Sequence, residues 1–172
     1  SNLGALYEHG TGLAKDGVEA VKWYRKAAEQ NYALAQYNLG CCYASGEGVE
    51  KDVLAAVKWY RKAAEQDHAA AQFNLGVCYY EGEGVPKDSV AAVKWYREAA
   101  EKNDGSAQSN LGFCYANGQG VAKDYVEGYK WFLLAAGQDV EGARDAVTTL
   151  EARMTREQIA EGQKLARNFK PR

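Results

Sequence analysis

The chain has 172 residues, 47% hydrophobic and 26% charged, a balance that places it among ordinary globular proteins able to bury a core. Its formal net charge of −2 and pI near 5.8 supply no basic field for a phosphate backbone or an anionic membrane, so nucleic acid is not the expected partner. No apolar run approaches the roughly 18 residues of a membrane span, which argues against membrane insertion.

A period of 36 residues organises everything else. Tryptophan recurs at Trp23, Trp59, Trp95 and Trp131, and the same interval links Asn2, Asn38, Asn74 and Asn110, then Gly4, Gly40, Gly76 and Gly112, then Asp16, Asp52, Asp88 and Asp124. Four copies, 1–32, 33–68, 69–104 and 105–140, run without an insertion, as stacking units must if each is to dock on its neighbour in one geometry. The chain opens inside a copy, and the expectation is a natural protein that extends upstream.

In the second copy, residues 33–45 predict a first helix and residues 53–66 a second. Between them Gly46 and Gly48 permit the positive φ of a tight reversal, and Val49 is expected to tuck back between the helices. Asp52 stands where an N-cap belongs. Glu19 and Glu127, three residues after the caps of the first and fourth copies, predict capping boxes there. Asn31, Asp67, Asn103 and Asp139 share one position and suit a left-handed exit from the second helix.

The second helix sets Ala56, Trp59, Tyr60, Ala63 and Ala64 on one stripe, with Lys58, Arg61, Lys62 and Glu65 opposite. The ladder Lys22, Lys58, Lys94 and Lys130 is read as a solvated outer face. In the fourth copy the charged pair after the tryptophan becomes Leu133-Leu134, which need cover. Residues 141–153 are read as the first helix of a degenerate fifth repeat and 155–168 as a capping helix with the apolar face Ile159, Gly162, Leu165, Ala166 and Phe169; Thr155 and Gln158 predict a capping box. Cys42, Cys78 and Cys114 recur once per copy, about 10 Å apart in stacked hairpins, too far for a disulfide, and are read as reduced and buried. Reduced thiols fit a cytoplasm and leave a periplasm open.

The fold class is therefore all-α: an α/α superhelical solenoid of four hairpins, a degenerate fifth repeat and a terminal cap, in a single domain. The recurring Asn38-Leu39-Gly40, Tyr43, Gly46-x-Gly48-Val49, Asp52, Ala56, Trp59-Tyr60 and Ala63-Ala64 resemble the Sel1-like repeat. That resemblance covers nearly the whole chain. It implies a relative of the tetratricopeptide repeats and a family, many of whose members are bacterial, of adaptors and scaffolds. The cysteine-rich branch of that family bridges its hairpins at the positions held here by Ala28 and Gln36, or Ala64 and Gln72, so the resemblance does not extend to that branch.

On the first helix a wheel places Ala35, Leu39, Cys42 and Tyr43 on the core side. The opposite side is expected to line a concave groove that binds a protein or peptide. The second copy offers Tyr37, Asn38 and Cys41; the third Phe73, Asn74, Val77, Tyr80 and Glu81; the fourth Asn110, Phe113 and Asn117. An asparagine carries both donor and acceptor and can satisfy the backbone of an extended peptide; the resemblance to tetratricopeptide grooves implies the same role. The alternative is that the asparagines bond the neighbouring hairpin and hold the stack, and that Tyr37 and Phe73 pack at the seam. Tyr80 and Phe113 are expected to face the groove. Cys41, on the open face, has no His or Lys near it in sequence to activate it.

No enzyme is expected. The histidines are His9 and His68, with no zinc spacing, no nucleophile elbow, and no strand before the Gly-x-Gly turns that would make them nucleotide loops; no cofactor or metal is foreseen. An RNA-reading repeat would need a basic groove, whereas this one has Glu8, Glu81 and Asp145. The second functional reading is a self-assembling module, joined through the groove or the solenoid ends.

Overall fold

The structure, a computed structural model, describes residues 16–172. Expectations that fall on Asn2, Gly4, Glu8, His9 and the first helix and turn of the first copy lie outside the described residues. The described chain is helical and divides into two compact units, one ending at Lys87 and one running Asp88–Arg172.

The first unit holds α1 (Gly17–Glu29), α2 (Ala33–Ser45), α3 (Val53–Ala64) and α4 (Ala69–Glu81), each packed on the next. The second holds α5 (Ser89–Glu101), α6 (Gly105–Asn117), α7 (Tyr125–Ala136), α8 (Ala143–Glu151) and α9 (Arg156–Arg167), where α7 packs on α6, α8 and α9. The terminal helices are a little shorter than the apolar pattern predicts.

The turns obey local chemistry. Gly46 and Gly48 sit at φ 80° and 71°, and the pairs Gly82/Gly84 and Gly118/Gly120 repeat this, while Val49 packs into the first core. Asn31, Asp67, Asn103 and Asp139 leave their helices at φ 66°, 65°, 67° and 56°. Asp52 accepts from the Ala55 amide at 2.9 Å, and Asp16, Asp88 and Asp124 accept from two amides each. Two expected capping boxes form differently. Glu19 and Glu127 turn to Lys22 (2.5 Å) and Lys130 (3.1 Å) instead of back to the cap, because a lysine one turn on offers a charged partner. The box at Thr155 and Gln158 does close.

The core of the first unit joins Ala20, Val21, Tyr24 and Ala28 of α1 to Ala35, Leu39 and Cys42 of α2. Burying each large side chain is worth about 1.5–3 kcal/mol. Lys58, Arg61, Lys62 and Glu65 are exposed opposite the buried stripe of α3. The lysine ladder is solvated at Lys22, Lys58 and Lys94, but Lys130 is half-buried, paired with Glu127 and 4.2 Å from the Trp131 ring centroid. In the second unit Leu133 packs in a cluster with Tyr129, Phe132, Leu150 and Ile159. α9 lies against α7 at Gly162, where a Cβ would come within 2.6 Å of the Tyr129 ring, and Phe169 meets Trp131 edge-on at 5.5 Å.

Candidate interaction surface

The first helices carry apolar residues on both sides, and the two sides fare differently. Ala35, Leu39 and Cys42 of α2 are buried, as are Ala71, Leu75 and Cys78 of α4 and Ala107, Leu111 and Cys114 of α6. On the other side Tyr37, Asn38 and Cys41 of α2 are half-buried, and so are Phe73, Asn74, Val77 and Tyr80 of α4; Glu81 is exposed. On α6 Asn110 is half-buried, Phe113 is 45% exposed, and the exposed Asn117 donates from Nδ2 to the Phe113 carbonyl at 2.9 Å.

Within the first unit this face is knitted by Tyr60 of α3. Its hydroxyl donates to Cys41 Sγ at 3.6 Å, and the Asn74 side chain hydrogen-bonds the same hydroxyl, so residues of α2 and α4 meet on one phenol. Burial pushes the Tyr60 hydroxyl well above its ordinary pKa. Tyr37 stacks on His68 with centroids 4.8 Å apart and tilts against Tyr60 at 6.1 Å, a position at the seam between hairpins. Lys87 sets its ammonium 5.4 Å from the Tyr80 ring centroid.

Two ladders hold the hairpins together that the wheel analysis did not single out. Gln36, Gln72 and Gln108 are buried, and their Nε2 groups donate to the Ala28, Ala64 and Ala100 carbonyls at 3.2, 3.1 and 3.2 Å. Arg25, Arg61 and Arg97 reach across to the hydroxyls of Tyr43, Tyr79 and Tyr115 at 2.8, 2.8 and 2.6 Å. The 36-residue recurrence of Gln, Arg and Tyr was a usable signal. Hydropathy hid it, since polar residues read as surface.

All four cysteines are free, and burial pushes the Cys78 and Cys114 thiols up to about 11, far from the thiolate form at neutral pH. No group of three His, Cys, Asp or Glu side chains able to hold a metal occurs among the described residues.

His68 has a measurable role of its own. Its Nδ1 accepts from the Ala71 amide at 3.3 Å, capping α4, while burial holds its pKa below the ordinary 6.5. The unfolded chain therefore takes up the proton first, and stability is expected to decline as pH falls from above 6.5 towards the folded pKa. Urea midpoints at pH 7.5 and 5.5 check this: the parent should lose more between them than His68→Asn, which keeps a capping acceptor without titrating.

Stacked helical hairpins with a polar inter-hairpin ladder and an aromatic, amide-bearing open face define a tetratricopeptide-like repeat scaffold. The chain belongs to the Sel1 repeat family: residues 1–32, 33–68, 69–104 and 105–140 each match the Sel1 repeat. A Sel1 repeat protein from Oxalobacter formigenes is similar at 36% identity and a TM-score of 0.82, over 98% of this chain and 72% of that one. A protective antigen of uropathogenic Escherichia coli displaying an SLR fold is 33% identical with a TM-score of 0.67; the chain, 98% covered, spans only 44% of it. The cysteine-rich protein B of Helicobacter pylori is 27% identical with a TM-score of 0.60, over 76% of this chain and 94% of that one. Comparison with curated proteins finds no match. None of the described helices is long and apolar enough to cross a membrane.

Proposed function

We propose that the chain is a non-catalytic scaffold that binds an extended peptide or protein segment along the open face of its first helices. The observation that carries this reading is made in each unit by itself: in the second Phe113 is 45% exposed beside Asn110 and Asn117, and in the first Phe73, Val77 and Tyr80 are open in part along α4. Aromatic anchors flanked by amides are what peptide recognition uses, the amides for backbone and the rings for specificity. Tyr37 and Asn74 serve this face indirectly, by fixing the seam beneath it through His68 and Tyr60.

The test is a displayed random-peptide library selected on the parent chain and counter-selected on a Phe73→Ala, Tyr80→Ala, Phe113→Ala variant of equal helicity by circular dichroism. Peptides retained by the parent and lost by the variant are the expected result. Peptides that bind both equally move the site off this face.

A further inference from the structure

The segment after α9 is held on the second helices of its own unit. Phe169 meets the Trp131 ring edge-on at 5.5 Å, the Arg172 guanidinium pairs with Glu101 Oε2 at 2.9 Å, and the Arg172 amide donates to the Glu101 carbonyl, also at 2.9 Å. An aromatic ring and a cation three residues on thus span α7 and the last residue of α5. The contact leaves its mark on burial: Trp131 is 4% exposed while Trp59 and Trp95 are half-buried, and Glu101 is half-buried while Glu29 and Glu65 are exposed.

Two periods earlier the first unit carries the same pair of positions. Trp59 corresponds to Trp131 and Glu29 to Glu101, and both line one cleft of about 430 Å³. The seam beneath is tied alike in the two units. Gln66 donates from Nε2 to Asn31 Oδ1 (3.2 Å) and Gln36 Oε1 (2.6 Å), as Gln138 does to Asn103 (3.3 Å) and Gln108 (2.8 Å). Matching ties hold matching helices in one register, so the tryptophan and the glutamate stand in the same relation in each unit. In the first unit no backbone amide of the described residues donates to the Glu29 carbonyl, the counterpart of the carbonyl that receives Arg172. Two rim positions differ, Lys62 for Leu134 and Glu65 for Gly137. They add one charge of each sign, so the Glu29 carboxylate still sets the sign of the cleft.

We propose that the Trp59–Glu29 cleft docks an extended segment of another protein in which an arginine follows an aromatic residue by three positions, seated as Phe169 and Arg172 are on α7 and α5. The aromatic ring packs on Trp59 beside Lys62, whose ammonium lies 4.4 Å from that ring's centroid, and the arginine pairs with Glu29. The chain's own tail is already engaged in the second unit, which leaves this cleft to a different chain. The site lies on the second helices and stands apart from the open face of the first helices, so it does not rest on the function proposed above. Pro171 confines Lys170 to extended backbone, which lowers the ordering cost of such a segment and makes the tail sequence a fair probe.

A synthetic peptide of residues 166–172, Ala-Arg-Asn-Phe-Lys-Pro-Arg, titrated into the isotope-labelled full chain and followed by NMR, tests this. Saturable shifts of the Trp59 indole and Glu29 amide signals are expected. Glu29→Lys, at an exposed position, should weaken binding about tenfold or more, and so should alanine in place of the peptide's phenylalanine. Lys62→Leu, which installs the residue type of the second unit, should tighten it. The Phe73→Ala, Tyr80→Ala, Phe113→Ala variant should bind as the parent does. The absence of a saturable shift, shifts at Trp131 in place of Trp59, indifference to Glu29→Lys, or loss of binding in the triple variant would each overturn the proposal. So would self-association of the parent in sedimentation velocity that Arg172→Glu abolishes, since the occupant would then be the tail of a second copy.

Discussion

Gly120→Ala is expected to cost about 3–5 kcal/mol, the sum of a non-glycine residue held in the left-handed region and of steric overlap in a packed seam. Gly120 has φ +69°, and a Cβ there would lie 2.0 Å from the Ser89 carbonyl oxygen, a backbone atom that cannot swing away. Gly48, at φ +71° with Gly17 O at the same 2.0 Å, should behave alike in the first unit. Gly46 supplies the contrast: it is also left-handed, at φ +80°, but its nearest atom is Lys51 Cβ at 3.3 Å, so Gly46→Asn should cost only about 1 kcal/mol. Urea denaturation of the three variants reads this out. Equal losses at Gly46 and Gly120 would mean that the second glycine of each turn is kept for φ alone and not for close approach to the neighbouring hairpin.

Gln108→Leu is expected to cost about 1–2 kcal/mol, because it removes one of the two donors on the Ala100 carbonyl, which keeps the Asn103 amide at 3.0 Å, and breaks a relay. Gln108 donates to Ala100 O (3.2 Å) and Asn103 Oδ1 (3.1 Å) and accepts from Gln138 (2.8 Å), which ties three segments of two hairpins to one amide. Gln72 occupies the same register with less to lose. It donates to Ala64 O at 3.1 Å, but its buried Oε1 has no hydrogen-bond partner, and Lys102 stands at the sequence position of Gln66 and Gln138. Gln72→Leu removes an unsatisfied acceptor along with the donor, so its cost should be smaller by about 1 kcal/mol or more. Thermal or urea midpoints of the two variants decide the matter, and a larger loss at Gln72 would sink the relay argument.

How much of this was legible in advance follows the range of the interactions. The glycines at Gly46 and Gly48, the exits at Asn31 and Asp67 and the caps at Asp52 and Thr155 all came out as the residue types require, since each rests on backbone groups a few residues away. The core stripe Ala56, Tyr60, Ala63 and Ala64 was equally readable, because helical periodicity alone assigns it to one face. The open face was readable only as a list of candidates. Nothing local distinguishes Tyr37, which ends stacked on His68, from Phe113, which stays exposed, and both occupy the side of the wheel away from the core.

The sequence by itself determined the repeat, its hairpins and the residues that reverse the chain, because a 36-residue period with fixed glycines and caps admits one local solution copied four times. Only the tertiary structure decided that Asn74 and Cys41 share the Tyr60 hydroxyl, that Gln36 and Gln108 are buried as ties, and that Arg25 ends on Tyr43. The physical reason is separation: these partners stand 8 to 19 residues apart, most of them on different hairpins, and meet only when the helices that carry them have packed together.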